Sequence, residues 1–177
     1  RAAAAESGRQ ECPDFRLIEK KKRYKTKIKN QKNKETMKIY NGDGLILGRL
    51  ASRVAKDALL GEEVHVVNAE NVVISGQKVL IVAREKQRRE RKAHPTKSAR
   101  FSRLPERAVR RSIRGMLPWK QARGKEAFKR IMCHRGVPEA FAGKELLTVL
   151  GASAQKLPNL KFITMGEICK KLGWNKP

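Results

Sequence analysis

The sequence is poor in acid. Its 177 residues hold 17 Asp and Glu against 42 Lys and Arg, a formal net charge of +25. Self-repulsion on that scale disfavours a compact chain without a counter-charge, so a polyanion is the expected partner, and nucleic acid is the commonest one. Long apolar runs are missing as well. The longest, Val79 to Ala83, is five residues, far short of the roughly 20 that a membrane-spanning helix needs. No transmembrane segment and no membrane partner are therefore expected. Cysteine is scarce and odd in number. Cys12, Cys133 and Cys169 lie far apart, which argues against a disulfide framework or a paired-cysteine zinc site and fits a reducing compartment.

The three histidines are scattered too: His65 alternates with valines, His94 precedes Pro95, and His134 follows Cys133. With no Cys-x-x-Cys, no His-x-x-x-His and no paired acids in the basic region, neither a catalytic nor a metal-ligating constellation is expected. His65 reads as a core or edge histidine of a strand.

What the sequence does have is a block of positive charge. Residues 84–135 carry 19 Lys and Arg against 4 Asp and Glu, whereas residues 38–83 carry 5 of each. Within the block Arg outnumbers Lys 13 to 6. A planar guanidinium binds phosphate oxygens bidentately and stacks on bases, so this bias favours structured contacts over a diffuse charge cloud. The whole sequence is 40% apolar, enough for one ordinary core.

Residues 1–36 form a basic extension, "RAAAAES" through "EKKKRYKTKIKNQKNKET", with too little apolar surface to offset the entropy of ordering. It is expected to be disordered when free. It reads as an arm that threads into RNA, as sequence upstream of a true start at Met37, or as a targeting peptide, the last disfavoured by Glu6, Glu11, Asp14 and Glu19. A single domain is expected over residues 37–177.

In that domain "MKIYN" is a strand, "GDGLILG" a turn-rich loop, and "RLASRVAKDALL" a helix with Leu50, Ala51, Val54, Ala55, Ala58 and Leu59 on one face, ended by Gly61. "EEVHVVNAENVVISG" then gives a strand, a turn and a second extended piece. Strand, helix and strand joined by short links predict a crossover and a parallel sheet. "QKVLIVAREKQRRERKA" predicts a helix from about 77 whose second half leaves the core, and "HPTKSARFSR" a loop. Pro105 opens the next helix, with Val109, Ile113, Met116 and Leu117 inward and Arg110, Arg111 and Arg114 outward. "GKEAFKRIMC" predicts a helix that buries Phe128, Ile131 and Met132, and "LKFITMGEICKKLGW" a strand feeding a helix that stops at Gly173.

Two motifs compete for a functional reading. "GDGLILGRLAS" resembles a glycine-rich nucleotide loop, with Glu70 where a ribose-binding acid would sit, but its spacing is off by one residue and tight-turn glycines explain it better. Arg49 and Arg53 beside it are available for phosphate. "VRRSIRGMLPWKQARGKEAFKRI", residues 109–131, sets an apolar joint among cations. Gly115, Pro118 and Gly124 turn the chain and let backbone approach a partner, with Trp119 either facing that partner or lying in the core.

Taken together, "LGRLASRVAKDALLGEEVHVVNAENVVISG" (47–76) and "RRSIRGMLPWKQARGKEAFKRIMCHRGVP" (110–138) resemble the universal large-subunit ribosomal proteins of the L-thirteen family, in their archaeal and eukaryotic form. The resemblance runs from about Met37 to Trp174 and is carried by "VVNAE" ending in "ISG" and by "RGMLP" followed by basic residues. Residues 1–36 have no counterpart in it, and the loop 93–104 departs from it. It implies an α/β fold, a three-layer α/β/α domain on a small, about four-stranded, mainly parallel sheet with a basic helical extension. It also implies a structural and assembly role without catalysis, bound to large-subunit rRNA and to neighbouring large-subunit proteins, in the cytoplasm. No cofactor, metal or small-molecule substrate is expected. The alternative is an RNA-binding regulator of translation acting outside the ribosome.

The family's basic region maps onto Arg110, Arg111, Arg114 and Gly115 to Pro118, extended by Lys120, Arg123 and Lys125. The wider cationic arc supplies the other expected rRNA contacts. Before the joint these are Arg84, Arg88, Arg91, Lys92, Arg100, Arg103 and Arg107, and after it Trp119, Gly124, Lys129 and Arg130. Arg49 and Arg53 complete the set.

Overall fold

The structure is a computed structural model that describes residues 37–91, 101–159 and 161–175. The expectations for residues 1–36 and for the loop 93–100 lie outside the described residues.

Strand β1 (Lys38–Asn41), helix α1 (Leu47–Leu60) and strand β2 (Val64–Val67) form the expected crossover, with β1 and β2 parallel and Tyr40 opposite Val66. Inside α1 the residues Leu50, Ala51, Val54, Ala55 and Ala58 are buried, as their helical spacing predicts. Gly61 ends the helix at φ 104°, a left-handed conformation in which its N–H reaches back to the carbonyls of Ala58 and Asp57. Leu59, expected inside, is 42% exposed. Asp57 is buried instead. It accepts a hydrogen bond from the Tyr40 hydroxyl and pairs with Arg53 at 3.4 Å and Lys38 at 3.7 Å. A buried carboxylate needs such partners, and two of them, Tyr40 and Lys38, tie α1 to β1. The Tyr40 hydroxyl is pushed up from its ordinary pKa, first by burial and then by the bond to Asp57.

After β2 the chain makes a 3-10 turn at Ala69–Asn71, where Asn68 adopts φ 55°, and leaves the sheet as β3 (Val73–Ser75). Helix α2 (Lys78–Glu90) follows and keeps only Ile81 buried, so it departs from the core as expected. Val79 and Leu80, at its apolar start, are 78% and 63% exposed. Helix α3 (Pro105–Gly115) buries Val109 and Ile113, with Leu117 buried just beyond its end. Met116 is outside, with its sulfur 3.4 Å from the Ser52 hydroxyl.

The predicted helix "GKEAFKRIMC" is two elements. Helix α4 (Ala122–Lys129) stops before Ile131, and Ile131–Cys133 is strand β4, parallel to β2 with Ile131 opposite Val64. Strand alternation buries Ile131 and Cys133 and turns Met132 out, 42% exposed, so Met132 is not a core residue. Finally β5 (Phe162–Thr164) runs antiparallel to β3 and passes directly into helix α5 (Met165–Lys171). The Thr164 side chain accepts from the Glu167 N–H as an N-cap, and Gly173 follows at φ 85°.

The parallel sheet therefore has three strands in the order β1-β2-β4, against the four expected, with a separate β3-β5 pair. Leu147 adds one parallel bridge at the outer edge of β1. Val64, Val66 and Val67 of the central strand are fully buried, as a parallel strand covered on both faces requires. One face, with Tyr40, Val64, Val66, Ile131 and Cys133, shares the main core with α1, α3 and α4. On the opposite face Ile39 and Val67 are covered by Phe141 of the 3-10 turn Glu139–Phe141, so the third layer is thin. A smaller cluster of Ile81, Ile163 and Ile168 joins α2, β5 and α5.

Two glycines flank the joint between α3 and α4 and differ in surroundings. A Cβ on Gly124 would sit 2.2 Å from the Pro118 carbonyl oxygen, whereas one on Gly115 would meet nothing within 4 Å. Gly124→Ala is accordingly expected to lower stability by about 3 kcal/mol, at the upper end of overpacking costs. Gly115→Ala should be neutral or stabilise by up to about 0.5 kcal/mol. Denaturant unfolding of the two variants measures both.

Candidate nucleic-acid interface

Helix α3 has two faces with different tasks. Val109 and Ile113 anchor it in the core, and the same spacing leaves Arg107, Arg110, Arg111 and Arg114 outside. Helix α2, whose one buried residue is Ile81, presents Arg84, Arg88 and Arg89. Those seven arginines line one cleft of about 790 Å³ between α2 and α3, with Met165, Ile168, Cys169 and Leu172 of the α5 region also among its lining.

Most of these guanidinium groups are already held in place. Arg88 donates to Glu85 at 2.8 Å, and Arg84 lies 4.0 Å from the same carboxylate. Arg89 donates to the Leu172 carbonyl at 3.0 Å. Arg111 stacks over the Phe101 ring, 3.6 Å from its centroid. Arg110 lies 4.5 Å from the Phe128 centroid and donates to the Phe128 carbonyl at 3.4 Å. Arg114 sits over Trp119 at 5.2 Å. Guanidinium faces take such positions because the ring quadrupole attracts the cation. Burial, followed by the neighbouring charges of Arg114 and Arg88, lowers the pKa of Arg111 from its ordinary value.

The expected contact residues divide into groups. Arg84, Arg88, Arg107, Arg110, Arg111, Arg114 and Gly115 converge on the cleft. Trp119 stands just beyond it, 42% exposed and edge-on to Phe128 at 5.2 Å, so it is neither a core residue nor a free one. Lys120, Arg123, Lys125 and Lys129 are exposed on the joint and on α4, and Arg130 is half-buried at the end of that helix. Gly124 is buried, and the close approach it permits is to Pro118 of its own chain. Arg91 is exposed at the end of α2, and Arg103 donates to the Gly173 carbonyl at 3.3 Å. Arg49 and Arg53 do not reach the cleft: Arg49 donates to the Gly151 carbonyl and Arg53 pairs with Asp57. Lys92 and Arg100 lie outside the described residues.

Sequence reasoning missed Arg89, Glu85 and Phe101. Glu85 precedes Arg88 by three residues on α2, a spacing that was available as a signal for that pair, whereas Arg89 bonds to the Leu172 carbonyl, 83 residues away. Phe101 sits in an aperiodic stretch, and only the fold shows that Arg111 stacks on it.

Other chemistry is thin. Among the described residues no group of three or more His, Cys, Asp or Glu side chains is placed to hold a metal ion, and no helix is long and apolar enough to cross a membrane. His65 is half-buried on β2, its Nδ1 3.2 Å from Nε2 of His134, and both rings pack on Phe141. Burial, then the charge of His134, lowers its pKa.

A neutral α/β core that carries an arginine-walled cleft is the architecture of a polyanion-binding protein. The model of the family described as ribosomal protein L13 matches residues 35–140. Archaeal proteins named large ribosomal subunit protein uL13 are similar over most of their length. The one from Methanococcoides burtonii is 42% identical over 142 residues, that from Methanocaldococcus jannaschii 44% over 140, and that from Methanococcus maripaludis 45% over 141. Each alignment covers 77% of this chain and 98% of the relative. The chain belongs to the ribosomal protein L13 family.

Cys133 and Cys169 are both free and buried. Burial pushes the Cys133 thiol up to about 12 and the Cys169 thiol up to about 11, so neither forms a thiolate near neutrality. Both are expected to resist a thiol-reactive probe at pH 8 in the folded chain and to react at once in denaturant. With folded values raised above the ordinary thiol value near 9, their contribution to stability is complete below that pH. It is lost as pH climbs from there toward 12, so a double Cys→Ala variant should show a shallower alkaline decline, the rest coming from groups such as Tyr40 that are also raised.

Proposed function

We infer that the chain is a structural, non-catalytic component of the large ribosomal subunit, working in the cytoplasm, that binds large-subunit rRNA and packs beside other large-subunit proteins. Family membership supports this reading, and the observation that carries it to particular residues is the convergence of seven arginines on the cleft between α2 and α3. Phosphate contacts from Arg84, Arg88, Arg107, Arg110, Arg111 and Arg114 would dominate affinity, with Lys120, Arg123, Lys125, Lys129 and Arg130 extending the interface along α4. Such binding releases counterions and weakens steeply with salt. Shape and unpaired bases would supply specificity, because side chains cannot read the deep, narrow groove of an A-form helix. Binding of this kind helps rRNA to fold during assembly, since each neutralised phosphate removes repulsion between strands. Residues 1–36, also basic, are read as an arm that threads into RNA, and residues 37–177 as a single domain.

The test has two parts. Sucrose-gradient fractionation of a native lysate, before and after a high-salt wash, should keep the chain at one copy per large subunit. Sedimentation at the top of the gradient would reject the reading in favour of a regulator acting outside the ribosome. In purified form, reversing Arg111 and Arg114 to Glu should abolish binding to large-subunit rRNA and leave thermal unfolding nearly unchanged. Any residual binding should show a salt slope reduced by at least about 2, one for each phosphate that these two arginines no longer neutralise.

A further inference from the structure

We propose that the cleft between α2 and α3 is a single-strand RNA site: it takes an unpaired stretch of one or two nucleotides, phosphates on the wall arginines and a base against the Arg111–Phe101 stack. The proposal rests on the rRNA-binding reading and goes further, because it names the form of RNA that this surface selects.

The first ground is shape. Cations stand on both walls, Arg84 and Arg88 on α2 and Arg107, Arg111 and Arg114 on α3. Like charges on facing walls focus the field into the gap rather than outward. An A-form duplex is a broad cylinder that would rest on the rims and leave the inner charges unmatched, whereas a single sugar-phosphate strand can enter. The volume, about 790 Å³, lies in the range of sites that enclose a small ligand, of roughly 300–1,000 Å³.

The second ground is the stack. Phe101 and Arg111 both line the cleft, both are half-buried, and the guanidinium lies 3.6 Å from the ring centroid. A planar, polarised pair of this kind is the surface on which splayed bases stack, and only unpaired RNA has bases to offer. Without RNA, Glu85 keeps Arg88 oriented at 2.8 Å. A phosphate would compete for the same N–H groups, so the arginine is ready for an anion without being free to collapse.

The experiment is fluorescence anisotropy of the full chain with a labelled single-stranded oligouridylate and with a blunt RNA duplex of matched phosphate count. Phe101→Ala should weaken single-strand binding about tenfold, the scale of removing one base stack, and leave duplex binding within about twofold. Phe101→Leu, which keeps apolar volume in the cleft wall, should weaken single-strand binding in the same way, and Phe101→Trp should restore it. Equal weakening for both RNAs, no weakening for either, or full single-strand affinity in Phe101→Leu would overturn the cleft assignment and leave the rRNA reading standing. Failure of the unaltered chain to bind either RNA at low salt would overturn both.

Discussion

The fold exists under one constraint, the mutual repulsion of cations packed into a short stretch of chain. Residues 84–135 carry 19 Lys and Arg against 4 Asp and Glu, and two of the three parallel strands lie outside that stretch, where charges balance. Helix α3 is where the two requirements meet. Val109 and Ile113 are fully buried on one side while Arg107, Arg110, Arg111 and Arg114 stand on the other. Full burial of an aliphatic side chain contributes about 1.5–3 kcal/mol. Repulsion between solvent-exposed charges is screened over about 10 Å at moderate salt. Packing wins residue by residue, so the helix holds its cations in place and the unrelieved repulsion becomes a driving force for binding a polyanion.

The cations fall into two physical kinds. Most of those in and beside the cleft are anchored by rings or carbonyls: Arg110 by Phe128, Arg111 by Phe101, Arg114 by Trp119, Arg89 by Leu172 and Arg103 by Gly173. Each has already surrendered part of its rotamer freedom, so less remains to be given up when it meets a phosphate. The side chains of Lys120, Lys125 and Lys129 are exposed, make no hydrogen bond or ion pair among the described residues, and act as mobile point charges. The excess of Arg over Lys in the block is therefore reflected in geometry: the arginines define a shape and the lysines extend a field.

Elements set by local chemistry were legible in the sequence. Helix α1, its end at Gly61, the Pro105 start of α3 and the passage from β5 into α5 all follow from periodicity, caps and turn residues. What escaped was set by partners distant in sequence. Ile131–Cys133 continues the apolar spacing of the preceding helix, and three residues are too few to distinguish the two periods. Only the pairing of Ile131 with Val64 makes them a strand. Asp57 looks like one more polar position on α1 until Tyr40, seventeen residues earlier, supplies its buried hydrogen bond. The arginine block was visible as composition, yet its division into a cleft and a flanking helix depends on how α2 and α3 face each other.

The joint from Gly115 to Gly124 gains its importance from what lies on either side of it. The chain leaves one wall of the cleft at Gly115, turns where the Gly124 N–H bonds to the Gln121 carbonyl, and runs through α4 straight into β4. β4 pairs with the fully buried β2, so the cations of α4 are registered against the central sheet with only Arg130 between helix and strand. The close approach of Gly124 to Pro118 then acts as a positioning element: it fixes the angle between two basic helices. A change there would leave every positive charge present and displace one group relative to the other. For the proposed RNA-binding surface, where phosphate contacts would set register, such a displacement would be as damaging as the removal of a charge.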